Sequence, residues 1–276
     1  MTQSDFVVRF WGVRGSIACP GEATARYGGN TACVEMRCGD RLLIFDAGTG
    51  LRLLGNALDD GGVVEADHFF SHTHFDHIIG LPFFCPAYKP ENRFEVWAGH
   101  LNPDCTIEQA LRLAMQAPLF PVPLDVFKAE MIFHDFSAGA MLEPRPGIRV
   151  RTAPLNHPDG ATGYRVEYGG KSVCYVTDTE HVRGVADQNI LALIADADIV
   201  IYDSTYTDEE FETYLNWGHS TWQEGVRLCR AAGVGTLVIF HHDPDHDDAT
   251  MDRIADEAAR AFPGAIVARE GMVLNP

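Results

Sequence analysis

The sequence predicts an α/β protein, built as a single domain from two similar runs of strands, loops and helices. Of its 276 residues, 46% are hydrophobic, enough for a substantial core and incompatible with global disorder. Short apolar, strand-like segments alternate with segments of helical spacing, and no linker divides the two runs. Polar residues repeatedly close the apolar strands: Asp46, the cluster beginning at His72, His157, Asp178, Asp203 and His241. Rigid strands that end in His and Asp are what a metal site at one edge of a sheet layer needs.

Residues 6–11 read as a strand of aromatic and β-branched residues. Gly12, Gly15, Pro20 and Gly21 then mark a long loop to Gly28-Gly29-Asn30. Residues 31–36 and 41–45 read as strands joined by a turn at Cys38-Gly39-Asp40. The second runs into Asp46-Ala47-Gly48-Thr49-Gly50, where the carboxylate fits a functional position, an Asx-turn or a helix cap. A helix is predicted over 51–58 and a strand over 66–70. That strand enters Ser71–His77, S-H-T-H-F-D-H. His72 and His74 stand two residues apart, so an extended backbone points both to one side. Asp76 and His77 lie where the chain turns into a helix, because residues 78–81 continue without polar side chains. Imidazoles and a carboxylate crowded in this way suit a borderline divalent metal such as zinc.

Residues 82–147 carry nine of the fifteen prolines. A capping box at Thr106 and Gln109 predicts a helix with Ile107, Ala110, Leu111 and Ala114 on one face. Residues 94–97 predict a strand. The rest reads as a decorated insertion, a candidate lid or dimer contact, or as ordinary long loops. A strand over 149–153 leads to His157, which by itself carries little weight. Residues 163–168 and 172–176 form a hairpin around Gly169-Gly170, and its second strand runs into Asp178. A helix is predicted after Glu180 to about residue 195, then a strand over 197–202 that ends at Asp203. Thr221 and Glu224 form a second capping box, with Trp222, Val226 and Cys229 striping that helix. A strand over 236–240 ends in His241-His242-Asp243. The last helix places Met251, Ile254, Ala258 and Phe262 on one face, and a strand over 265–268 closes the pattern.

The charge balance narrows the partners. Lys and Arg number 21 against 39 acids, a net charge of −18, which opposes an extended nucleic-acid footprint. The seven cysteines are scattered and form no C-x-x-C pair, so a reducing, cytoplasmic setting is expected. Met1 to Asp5 are polar and do not open a signal peptide, and no apolar run reaches the length of a membrane span.

Asp46 in F-D-A-G-T-G, the H-T-H-F-D-H motif, His157, Asp178 and His241 occur in an order that resembles the metallo-β-lactamase superfamily over nearly the whole chain. The resemblance implies an αββα sandwich of two mixed sheets flanked by helices. It also implies two divalent metal ions, zinc or manganese, at the edge where the sheets meet. Carried over by position, His72, His74 and His157 would bind the first ion, and Asp76, His77 and His241 the second. Asp178 would bridge them, and Asp46 would orient a ligand histidine from behind. His241 is preferred to His242 because it comes directly after its strand.

Y-D-S-T-Y at 202–206, G-H-S-T at 218–221 and H-H-D-P at 241–244 resemble the phosphodiesterase branch, and W-G-V-R-G-S and R-Y-G-G-N-T near the start also fit it. That branch holds the tRNA 3′-end endonuclease tRNase Z, a cyclic-phosphate esterase and cyclic-nucleotide phosphodiesterases. There an acid–histidine pair acts on the leaving group, which implies catalytic roles for His219 and Asp203 beside Asp76. The late, basic Gly/Pro-rich arm of tRNase Z has no counterpart here. The expected substrate is therefore a small phosphodiester, first a cyclic nucleotide. The alternatives are a tRNase Z-like RNA 3′-end endonuclease, another metallohydrolase (a lactonase or thioesterase), and a metal-binding module without turnover. Arg14, Asn30 and His242 are candidate substrate contacts. Tyr27 and Phe84 fit base stacking or a core role. A homodimer is implied by the resemblance only.

Overall fold

The computed structural model describes residues 6–59 and 61–276, and the polar Met1–Asp5 segment lies outside them. The strands in chain order are β1 (Phe6–Gly12), β2 (Cys33–Cys38), β3 (Arg41–Phe45), β4 (Glu65–Phe70), β5 (Arg93–Ala98), β6 (Glu130–Asp135) and β7 (Met141–Arg145). They continue as β8 (Ile148–Leu155), β9 (Ala161–Tyr168), β10 (Lys171–Val176), β11 (Ile199–Asp203), β12 (Thr236–Phe240), β13 (Ala265–Val267) and β14 (Val273–Leu274). The helices are α1 (Gly50–Leu58), α2 (Phe75–Ile78), α3 (Ile107–Ala114), α4 (Gln188–Ile194), α5 (Asp208–Phe211), α6 (Trp222–Ala231) and α7 (Asp248–Ala261).

The strands form two seven-stranded sheets, β14-β1-β2-β3-β4-β5-β6 and β13-β12-β11-β10-β9-β8-β7. Both sheets are mixed. β3 to β6 run parallel in the first, and β10 to β13 in the second. The period-2 side-chain alternation of β1 buries Phe6, Val8 and Phe10. They join Phe45, Phe69, Tyr164, Tyr175 and Phe240 in an apolar layer between the sheets. Two further layers cover the outer faces. Leu51, Leu54, Ile107 and Leu111 of α1 and α3 pack on the first sheet, and residues of α4, α6 and α7 on the second. β11 is buried at every position because it is covered on both faces. This layering is an αββα sandwich.

This topology collects the functional residues. Parallel strands present their carboxyl ends at one edge, so the residues just beyond β3, β4, β10, β11 and β12 converge there. β8 pairs antiparallel with β9, which pairs antiparallel with β10, so His157 after β8 arrives at the same edge.

Several expectations need correction. The proline-rich span 82–147 holds β5, β6 and β7, all of them sheet strands, so only its remaining turns and α3 decorate the sheets. β7 contains Pro144 and lies at the edge of the second sheet, where a missing N–H is tolerated. The helix expected after Glu180 begins only at Gln188, capped by Asp187. The Thr106 capping box forms in full. At α6, Thr221 caps the Glu224 amide, but the Glu224 carboxylate bonds Arg227 instead of closing the box. Phe84 is core, and Tyr27 packs in the second-sheet layer with its hydroxyl on Asp252. All seven cysteines are free, and among the described residues no helix is long and apolar enough to cross a membrane.

Candidate metal centre

His72, His74, Asp76, His77, His157, Asp178 and His241 come together at the converging strand ends. The β4 strand delivers His72, and the backbone stays extended through His74, the residue before α2. α2 then turns Asp76 and His77 inward. His74 Nδ1 lies 3.0 Å from His72 Nε2 and 3.0 Å from His157 Nε2. Asp178 Oδ1 completes this group at 3.7 Å from both His72 Nε2 and His157 Nε2. In the second group, His77 Nε2 and His241 Nε2 are 3.2 Å apart. Asp76 Oδ2 lies 3.1 and 3.3 Å from these two nitrogens, and Asp178 Oδ2 lies 3.2 and 3.3 Å from them.

These spacings fit metal coordination. Ligands at ~2.1 Å from a tetrahedral zinc stand about 3.4 Å from one another. Imidazole lone pairs facing one another at 3.0 Å, without a proton or cation between them, repel. Asp178 directs one oxygen to each group, the arrangement of a bridging carboxylate. Burial, more than any neighbour, pushes the pKa values of His72 and His157 down, which leaves the neutral imidazole a metal requires. Burial would raise the carboxyls of Asp76 and Asp178, but the adjacent histidines hold both well below the usual carboxylate range.

The other ring nitrogens are fixed from behind. His77 Nδ1 donates to Asp46 Oδ2 at 2.8 Å. His72 Nδ1 lies 3.0 Å from Ser71 Oγ, which itself donates to Asp46. His157 Nδ1 donates to the Gly218 carbonyl at 2.7 Å, and His241 Nδ1 lies 3.0 Å from Thr205 Oγ1. Such partners set the tautomer and aim Nε2 at the centre. Asp46 also accepts from Tyr175 Oη at 2.7 Å, so a strand of the opposite sheet braces the same carboxylate. Asp46, Asp178 and His241 all adopt left-handed backbone angles, with φ of 59°, 57° and 61°. Each leaves its strand through a sharp turn that holds the side chain at the edge. Gly15 lets the first loop lie on the His241 ring, where a Cβ would collide.

Beside the bridging carboxylate sits the acid–histidine pair. His219 Nδ1 is 3.1 Å from Asp203 Oδ2 and 3.8 Å from Asp178 Oδ1. Burial opposes protonation of His219, yet the charge and hydrogen bond of Asp203 outweigh it and raise the pKa to about 9. Asp203 is held by the amides of Thr179 and Thr205 and by the Thr205 hydroxyl. Thr205 thus ties the pair to His241.

The three candidate substrate contacts are engaged elsewhere. Arg14 is fully buried and donates to the carbonyls of Gly28, Asp243 and His246. It pins loops together because a buried guanidinium must find acceptors. His242 is buried with Nε2 on the Ala268 carbonyl, since the residue after His241 turns into the core. Asn30 is held by the Glu270 carboxylate through both backbone and side-chain amides. Sequence reasoning missed Tyr175, Ser71 and Thr205. Their supporting bonds join distant segments, and only the Y-D-S-T-Y motif marks Thr205. It also missed His100, after β5, whose Nε2 lies 3.3 Å from Thr73 Oγ1 at the edge of the histidine loop.

A family model described as a beta-lactamase superfamily domain matches residues 41–242. A ribonuclease Z of Haloarcula marismortui is 25% identical over 293 residues, covering 88% of this chain and 90% of that protein. The metallo-beta-lactamase fold protein YhfI from Bacillus subtilis shares the fold with a TM-score of 0.72, at 20% identity over 99% of each chain. Zinc-bound PqqB from Methylobacterium extorquens does so with a TM-score of 0.74, at 16% identity over 98% of this chain and 100% of that one. The chain belongs to the metallo-β-lactamase superfamily.

Proposed function

We propose that this chain is a phosphodiesterase working through two divalent ions, both zinc or, as the alternative, both manganese, and that it cleaves at the 3′ end of an RNA. One observation carries the reaction class: two His/Asp groups joined by Asp178, with the Asp203–His219 pair against the bridge. Ions bound there would supply Lewis acidity and lower the pKa of water. His72, His74 and His157 would hold one ion, Asp76, His77 and His241 the other, and Asp178 would keep the two in register. Asp203 occupies His219 Nδ1, so Nε2–H is the proton available to the leaving oxygen. An ester or lactone hydrolase has less need of such a pair.

The ribonuclease Z relatives move the RNA end ahead of the cyclic nucleotide that the sequence alone favours. The net charge of −18 supports a second reading, a small phosphodiester such as a cyclic nucleotide. Seven free cysteines support a cytoplasmic setting. A homodimer rests on the family resemblance.

The test is a substrate panel on metal-loaded protein: a 3′-extended tRNA, 3′,5′-cyclic AMP and a lactone, with chelation and Asp76→Ala as controls. RNA cleavage lost in both controls is expected. Cleavage of cyclic AMP alone would select the second reading. Hydrolysis of the lactone alone, by protein holding two ions, would refute phosphodiester chemistry.

A further inference from the structure

We propose that Trp217 is a stacking platform for the nucleobase flanking the scissile phosphate. This inference rests on the phosphodiesterase reading but on neither choice of substrate, since an RNA end and a cyclic nucleotide both carry a base there.

Trp217 is 62% exposed, unusual for an indole that is not used. It is nonetheless anchored to the centre. The next residue, Gly218, accepts a hydrogen bond from the ligand histidine His157 and donates its amide to Glu180 Oε2 at 2.9 Å. Gly218 has a φ of +85° and lies flat against the His157 ring, where a Cβ would collide. His219, the candidate acid, comes directly after it. A ladder of rings leads back to the same place: Trp217 to Tyr214 at 5.3 Å, Tyr214 to Tyr206 at 4.7 Å and Tyr206 to His219 at 6.0 Å. Tyr214 and Tyr206 are stacked at 9°, whereas Trp217 meets Tyr214 at 73°. The indole is therefore braced by its neighbours and still exposed. Phe75 and Ile17, each 64% exposed, are chain neighbours of residues at the centre. Phe75 comes directly after His74, and Ile17 directly after Ser16, whose amide donates to Asp76.

The charge of the chain gives this platform its use. At −18, counterion release cannot supply much affinity for a nucleotide. Base–aromatic stacking can, because every base has a π-face and the contact needs no positive charge.

The test compares AMP with ribose 5-phosphate, binding to metal-loaded full-length protein by calorimetry. Both carry a phosphate, and only AMP carries a base. Wild type is expected to bind AMP about 10-fold more tightly. Trp217→Ala should bring the ratio to about one, and Trp217→Phe should keep part of the preference. The exposed position makes a folding failure of either variant unexpected, and a thermal melt checks it. Equal affinities in wild type, no detectable AMP binding, or a preference that survives Trp217→Ala would each overturn the proposal. The phosphodiesterase reading can fail separately. If no diester is cleaved while AMP is still preferred through Trp217, the platform stands and the reading falls.

Discussion

Replacing Asp46 with asparagine keeps the side chain's shape and removes its charge. Oδ1 accepts from the Ser71 amide at 2.7 Å. Oδ2 accepts from Ser71 Oγ, His77 Nδ1 and Tyr175 Oη at 2.8, 2.8 and 2.7 Å. Whichever way the new amide lies, its NH2 faces at least one donor in a fully buried site. Orphaning a buried donor costs about 1–3 kcal/mol, and removing one partner of a buried ion pair about 3–5 kcal/mol. Metal-free Asp46→Asn should therefore lose about 3–5 kcal/mol of stability in urea unfolding. His77 also loses the bond that aims Nε2 at the second ion, so affinity there should fall about 10–100-fold in a chelator competition. The first ion should be affected less, because His72 meets Asp46 only through Ser71. A folded Asp46→Asn protein that binds both ions as wild type does would refute this reasoning.

The same geometry predicts other outcomes. His219→Ala and Asp203→Asn should slow diesters with poor leaving groups by about 10²–10⁴-fold and spare nitrophenyl esters, and equal effects on both would reject the acid role. Arg14→Met leaves three carbonyls without their donor, so stability should drop by about 3 kcal/mol or more while KM stays near wild type. A raised KM with unchanged stability would restore Arg14 as a substrate contact. A Cβ at Gly80 would collide with the Gly48 carbonyl, so Gly80→Ala should cost about 1–3 kcal/mol, read as a lowered Tm.

The strand ends were legible because apolar runs and a terminal His or Asp are local signals. The limits of β3 and β12 match the sequence reading, and Asp46, His157, Asp178 and His241 all reach one edge. The residues around Asp46 left its purpose open, and only the family resemblance gave it the role of orienting a ligand histidine, which the 2.8 Å bond to His77 fits. The four donors to Asp46 come from residues 71, 77 and 175, so its local sequence does not select orientation over an Asx-turn or cap. The burial of Arg14 and His242 was hidden for the same reason: their acceptors lie 14 to 232 positions away. β6 is only partly buried and β7 carries a proline, so neither shows the apolar alternation of an inner strand. The choice between an RNA end and a small diester is not written in the proposed metal-binding residues, which would serve both.

The dinuclear centre is tested most directly by the number of ions bound per folded chain at saturating zinc, measured by elemental analysis after gel filtration. Two ions are predicted for wild type, and fewer for Asp178→Ala, which loses the carboxylate shared by both groups. One ion or none on folded wild-type protein would contradict the dinuclear centre, and with it the proposed chemistry.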